Sequence, residues 1–165
     1  PLPEAQLDRF MFCVNVGYPD HADEKTIIME TTRDQALEVD RVLNGDAILQ
    51  LQRLVRQVPI SDYVATYATD LVRATRPDDA GAPDFVKRWV RWGAGPRAGQ
   101  YLLLAAKAHV LLQGRFNVSC EDIREYALPV MRHRMFCNFT ASSEGVSTDD
   151  IIGKVLEMVK EPAYD

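Results

Sequence analysis

No long hydrophobic run interrupts this 165-residue sequence. Its most conspicuous apolar block, Tyr101 to Ala106, stops at Lys107, well short of the ~20 residues a bilayer span requires. Cysteine is scarce. Cys13, Cys120 and Cys137 are odd in number and include no C-x-x-C pair, so they read as reduced, buried thiols of a cytoplasmic protein rather than a disulfide framework. The three histidines, His21, His109 and His133, have no metal-ligand spacing, and no metal site is expected. Basic charge is not in excess. A formal net charge of -5 removes the bulk attraction behind non-specific nucleic-acid binding, so no nucleic-acid partner is expected.

Phosphate-binding and dinucleotide-binding loops are also missing. Before Gly153-Lys154, Thr148 stands where the first loop glycine belongs, and Val155 replaces the following Ser or Thr. The pair also falls within a helical pattern. Gly93-Ala94-Gly95 fails the dinucleotide fingerprint because Ala98 holds the third glycine position and no strand precedes it. No Ser-His-Asp or Cys-His arrangement follows from spacing. The adjacent acids Asp78-Asp79 and Asp149-Asp150 read as loop solvation and helix capping. The chain opens on Pro1-Leu2-Pro3 without an initiating Met, which suggests a fragment and makes the lack of a targeting segment uninformative.

What remains is an ordinary globular composition, with 47% hydrophobic and 26% charged residues. Pro3 suits the start of a short helix through Arg9. Phe10 to Val16 then reads as a strand bounded by Gly17 and Pro19. A lone strand cannot bury itself, so this one implies a sheet edge. From Asp20 the pattern is helical. Asp20, Asp46, Ser61 and Ser119 are candidate N-caps, Pro83 and Pro96 open helices, and Gly114 ends the apolar helix begun at Pro96. The Pro83 helix should carry Phe85, Trp89 and Trp92. Pro129 should kink or split the Ser119 helix. Ser147-Thr148-Asp149-Asp150 repeats a capping-box signal before an amphipathic final helix. The expected fold is mainly α, a helical bundle with one short N-terminal strand.

Three basic features could carry chemistry. Arg97 lies in the first turn of a helix, where its charge opposes the helix dipole. Free backbone N–H groups there, together with a guanidinium, form an anion-binding corner. A solvated surface arginine fits the same spacing. Arg9 precedes the expected strand and can pair locally with Glu4 or Asp8. Arg132-His133-Arg134 could face phosphate, a neighbouring subunit or water. Trp89, Trp92 and Tyr101 have helix-compatible spacing and read as core.

The opening Pro1-Leu2-Pro3-Glu4-Ala5-Gln6-Leu7-Asp8-Arg9-Phe10-Met11 resembles the segment after sensor 1 in MoxR-type AAA+ ATPases. The likeness continues through Arg56 to Asp62 and Ala74-Thr75-Arg76-Pro77. It is most specific at Trp89-Val90-Arg91-Trp92-Gly93-Ala94-Gly95-Pro96-Arg97-Ala98, then resumes at Val118 to Ile123, Pro129 to Arg134 and Glu144 to Ser147. Nearly the whole chain is covered, in order.

The resemblance implies the C-terminal part of such an ATPase. Residues 1–19 would be the edge of the ATPase core, including the strand, and 20–165 the helical lid. Arg97 falls at sensor 2, reaching phosphates of ATP in its own subunit. Arg9 falls where this clade's arginine finger is expected, pointing at a neighbour's γ-phosphate. Implied with these are ATP and Mg²⁺ in the full-length parent, and a ring of identical subunits, commonly a hexamer. Many such chaperones act with von Willebrand A domain proteins in remodelling or activating protein complexes. Walker A, Walker B and sensor 1 would lie upstream, so this segment alone should neither hydrolyse ATP nor hold it tightly. Two other readings are a non-enzymatic helical adaptor and a helix-turn-helix DNA binder around Ser119 to Arg134. The acidic balance and Pro129 weigh against the latter.

Overall fold

The computed structural model describes residues 2–34 and 39–163; Pro1 of the opening motif lies outside them. Ten helices and two short strands occur among the described residues: α1 (Glu4–Leu7), α2 (His21–Thr31), α3 (Gly45–Gln57), α4 (Asp62–Ala74), α5 (Asp84–Trp89), β1 (Val90–Trp92), α6 (Pro96–Leu112), α7 (Cys120–Glu125), α8 (Ala127–Met131), β2 (Phe136–Cys137), α9 (Phe139–Ser143) and α10 (Thr148–Met158). The fold is mainly α, as composition and periodicity imply.

Local chemistry explains most helix ends. Asp20 accepts from Asp23 N at 2.9 Å, and Ser61 accepts from Val64 N. Ser119 with Asp122 and Ser147 with Asp150 form complete capping boxes, each satisfying donors at both sides of the helix start. Asn44, not Asp46, caps α3, accepting from Ala47 N at 2.8 Å. Helix α6 begins at Pro96 and ends in a glycine-dependent reversal. Gly114 takes φ +68°, with Gly114 N donating to Leu111 O at 3.0 Å and Arg115 N to Val110 O at 2.7 Å. That pair of bonds is the Schellman pattern.

The core is built by α4, α6, α7, α8 and α10, with α5 and β1 closing one side. Tyr67 and Leu71 of α4, Leu102 and Val110 of α6, Ile123 of α7, Val130 and Met131 of α8 and Ile151 and Ile152 of α10 are all buried. Cys120 is buried too, whereas Cys13 and Cys137 are only half-buried, contrary to the expectation of three buried thiols.

Other differences from the sequence reading are informative. Trp92 does not lie on the α5 helix or in the core. It belongs to β1, which pairs antiparallel with β2 through Val90 with Cys137 and Trp92 with Phe136, and it is 69% exposed. Asn138 steadies this pairing by donating to Arg88 O at 2.7 Å while capping α9. The split between α7 and α8 falls at Tyr126, and Pro129 sits inside α8. The expected helix through Arg9 stops at Leu7.

No strand forms over Phe10 to Val16 among the described residues. Side chains of the bundle replace a partner strand there. Arg134 donates to the carbonyl oxygens of Asp8 at 2.9 Å and Met11 at 3.2 Å, and also to that of Phe10. Tyr101 Oη donates to Arg9 O at 3.1 Å. Cys13 N donates to Pro129 O at 2.8 Å. Within the expected strand, backbone groups of Phe10, Met11 and Cys13 are met one by one, without a ladder.

Candidate functional site

The site starts from the turn before α6. Thr75, fully buried at the end of α4, accepts from Ala94 N at 3.0 Å and donates to Val72 O at 2.6 Å. Arg76 Nε donates to Ala94 O at 3.0 Å. The approach requires glycine at position 93, because a Cβ there would lie 2.4 Å from Thr75 O and 2.7 Å from Arg76 Cα. The Gly93 to Pro96 turn is thereby fixed against α4, and it aims the N-terminus of α6 outward. No side chain caps that terminus; Pro96 has no N–H and Ala98 N donates to Gly95 O at 3.0 Å, which leaves the N–H of Arg97 facing outward.

Arg97 occupies this first turn. Its side chain is 43% exposed and pairs through Nη1 with Asp8 Oδ2. An open cleft of about 520 Å³ lies beside the preceding turn, lined by residues including Arg73, Arg76, Asp78, Asp79, Gly95 and Pro96. Its wall carries two arginines and two aspartates, with Arg73 paired to Asp79 at 2.9 Å, while the Arg97 guanidinium lies outside the lining and is paired with Asp8.

Arg9 directly follows Asp8, the residue that pairs with Arg97. Its side chain is exposed and contacts neither Glu4 nor Asp8; no side-chain hydrogen bond or ion pair is formed by it among the described residues. The Asp8 carboxylate instead joins Arg97 to Arg134, whose Nε donates to Asp8 Oδ1 at 3.2 Å.

Arg134 is the residue the sequence hid. A basic triplet reads as a solvated face, yet the Arg134 side chain is 1% exposed. Burial pulls its pKa down from the ordinary arginine value while the Asp8 charge and hydrogen bond push it back up. Its guanidinium also lies 4.8 Å over the Tyr101 ring, a favourable cation–π position. Its placement four residues after Val130 and directly before Met135, both buried, was the available signal for an inward-facing position. His133 Nε2 lies 3.0 Å from Phe10 O, and burial lowers the His133 pKa below the ordinary histidine value. Arg132 pairs with Asp149 at 2.9 Å. The triplet thus holds the N-terminal segment and α10.

Among the described residues, no group of three or more His, Cys, Asp or Glu side chains could hold a metal ion, and no helix is long and apolar enough to cross a membrane.

Residues 85–155 match the AAA lid domain family, which spans α5 through most of α10. The chain is 38% identical to the chaperone MoxR1 of Mycobacterium tuberculosis, over 98% of this chain and 43% of that protein. It is 32% identical to protein MoxR of Paracoccus denitrificans, over 82% of this chain and 43% of that protein. The crystal structure of a putative ATPase from Cytophaga hutchinsonii superposes with a TM-score of 0.88 at 32% identity, covering 99% of this chain and 50% of that one. The chain spans about half or less of the length of these relatives. With the lid match inside a continuous MoxR likeness, and the same helical architecture in the solved ATPase, this chain belongs to the MoxR family of AAA+ ATPases as a lid-bearing C-terminal segment.

Proposed function

We propose that this segment is the lid of an ATP-hydrolysing ring and supplies two arginines to two different nucleotide sites. Arg97 is sensor 2, facing the phosphates bound by its own subunit. Arg9 is the arginine finger, facing the γ-phosphate held by a neighbour. The single observation that carries this reading is the presentation of Arg97 on the uncapped N-terminus of α6, beside an open cleft and joined through Asp8 to the segment that bears Arg9.

Residues 1–19 are then the margin of the ATPase core and 20–165 the lid, with the Gly17 to Asp20 stretch as the hinge. Such an arrangement turns the nucleotide state into rotation of the bundle relative to the core. When bound, Mg²⁺-ATP supplies the phosphoryl group and the charge of the metal. This chain contributes guanidinium groups that offset charge on the transferred phosphoryl oxygens. Its own sequence offers no phosphate-binding loop around Gly153-Lys154, so the cradle belongs to the other part of the protein. The ring is of identical subunits, commonly six, and its output is chaperone-like remodelling of protein complexes, with a von Willebrand A domain protein as the expected class of partner.

The test is ATP turnover by the full-length protein with Arg97→Ala or Arg9→Ala. Arg9→Ala should lower kcat by roughly 10³-fold or more, the range for loss of a trans arginine. Arg97→Ala should weaken nucleotide binding as well as turnover. Unchanged rates in both variants would refute the assignment.

A further inference from the structure

Between the two proposed arginines stands one carboxylate. Asp8 Oδ2 accepts from Arg97, and Asp8 Oδ1 accepts from Arg134 at 3.2 Å. All five N–H donors of the Arg134 guanidinium are committed: one to Asp8 Oδ1, the others to the carbonyl oxygens of Asp8, Phe10, Met11 and Val130. A buried guanidinium with every donor used, and an aromatic ring beneath it, is a fixed anchor. Arg97 is the opposite case. It spends one Nη1 donor on Asp8 and keeps its remaining donors on a half-exposed side chain.

Arg9 follows Asp8 directly. Its carbonyl is held by Tyr101 Oη at 3.1 Å, and the carbonyls before and after it are held by Arg134. The base of Arg9 is therefore pinned on both sides while its tip reaches outward. A group that must cross to another subunit needs that combination, since orienting a long side chain in advance spares its ordering at the moment of reaction.

We propose that Asp8 is a shared positioning residue: anchored by Arg134, its carboxylate orients Arg97 toward the chain's own nucleotide, and its backbone sets Arg9 toward the neighbour's. This rests on the roles given above to Arg97 and Arg9. It adds a physical link between them, so that adjacent nucleotide sites share one fixed point within each subunit, where the core margin meets the lid.

The experiment uses the full-length protein and Asp8→Asn, which keeps the side-chain shape but removes the charge that holds Arg97 and pairs with Arg134, the residue gripping the carbonyls on either side of Arg9. Turnover should fall by roughly 10- to 100-fold, as when a catalytic group is displaced rather than deleted. Ring assembly should match wild type, the melting temperature should fall because buried Arg134 loses its carboxylate partner, and Asp8→Glu should recover part of both the stability and the rate. Mixed rings then separate the two arms. Walker-defective subunits carry an intact Arg9, so they should restore turnover to Arg9→Ala subunits but not to Asp8→Asn subunits, whose own Arg97 is misplaced. Asp8→Asn subunits should likewise fail to rescue Arg9→Ala subunits, because Arg134, without the Asp8 charge, no longer fixes the carbonyls on either side of Arg9. Rescue in either of those last two mixtures would show that Asp8 serves one arginine only and overturn the link. A wild-type rate in Asp8→Asn rings, or a loss of assembly that accounts for the lost rate, would overturn it too. If Walker-defective subunits do not rescue Arg9→Ala, the finger assignment itself is wrong and the link falls with it.

Discussion

Helices α3 and α10 carry nearly the same sequence signal and meet different fates. Both have polar caps and apolar residues spaced for one face. In α10, Ile151, Ile152 and Val155 are completely enclosed by the bundle. In α3, Ile48, Leu49, Leu51 and Leu54 are each more than 40% exposed. No described residue before Val58 is buried. Hydrophobic periodicity specifies a face; what covers that face is a property of the whole chain. The bundle from Val58 onward holds the buried core; α3 lies on α6 with its apolar face only partly covered, and α2 is held mainly by local helix chemistry.

The largest test of that contrast is a pair of truncations read by denaturant unfolding of the segment. Ile151→Ala should cost about 2–5 kcal/mol, because it opens a cavity in the packed core. Leu51→Ala should stay within about 0.5 kcal/mol, the range of exposed positions. Equal losses would show that α3 shares the core.

A smaller effect sharpens the description of the packed region. Asp122 closes the α7 capping box and pairs with Arg115 through both carboxylate oxygens. Burial pushes its pKa up, but the hydrogen bonds from Arg115 and Ser119 outweigh that and hold it below the ordinary 3.8. A carboxyl depressed in the folded state stabilises fully above its unfolded pKa. That contribution is lost as pH falls below about 4 through the folded value. Asp122→Asn should therefore lower stability at neutral pH by about 1.5–3 kcal/mol and flatten the acid limb of the stability profile. An unaltered acid limb would assign the pH dependence to other carboxylates.

The smallest effect separates the regions again. Ser147→Ala removes a cap in the cooperative unit and should reduce global stability by about 1 kcal/mol. Asp20→Ala removes an equivalent cap from α2. It should leave the global transition in place and speed amide hydrogen exchange within His21 to Thr31. A shift of the whole transition would join α2 to the bundle.

What could be read from the sequence follows the same division. Caps at Asp20, Ser61, Ser119 and Ser147, and the limits of α6 at Pro96 and Gly114, are local chemistry and stood in plain view. Strands β1 and β2 were not legible, since pairing of Trp92 with Phe136 joins residues far apart in the chain and Val90 to Trp92 continue a helix-like apolar spacing. Phe10 to Val16 showed strand chemistry, but Arg134 and Pro129 satisfy its early backbone in place of a ladder. Arg97 could be singled out by its position in a first turn. Its link to Asp8 could not, because 89 residues separate the two.

In the proposed ATPase, this segment brings the arginines and another part of the protein brings the phosphate cradle. The most direct measurement is calorimetric titration of Mg²⁺-ATP into residues 1–165, with helical folding verified by circular dichroism, alongside the full-length protein. Saturable binding by the full-length protein, weakened by Arg97→Ala, and no saturable binding by the segment alone is the predicted result. Micromolar binding by the segment alone, unaffected by Arg97→Ala, would contradict it.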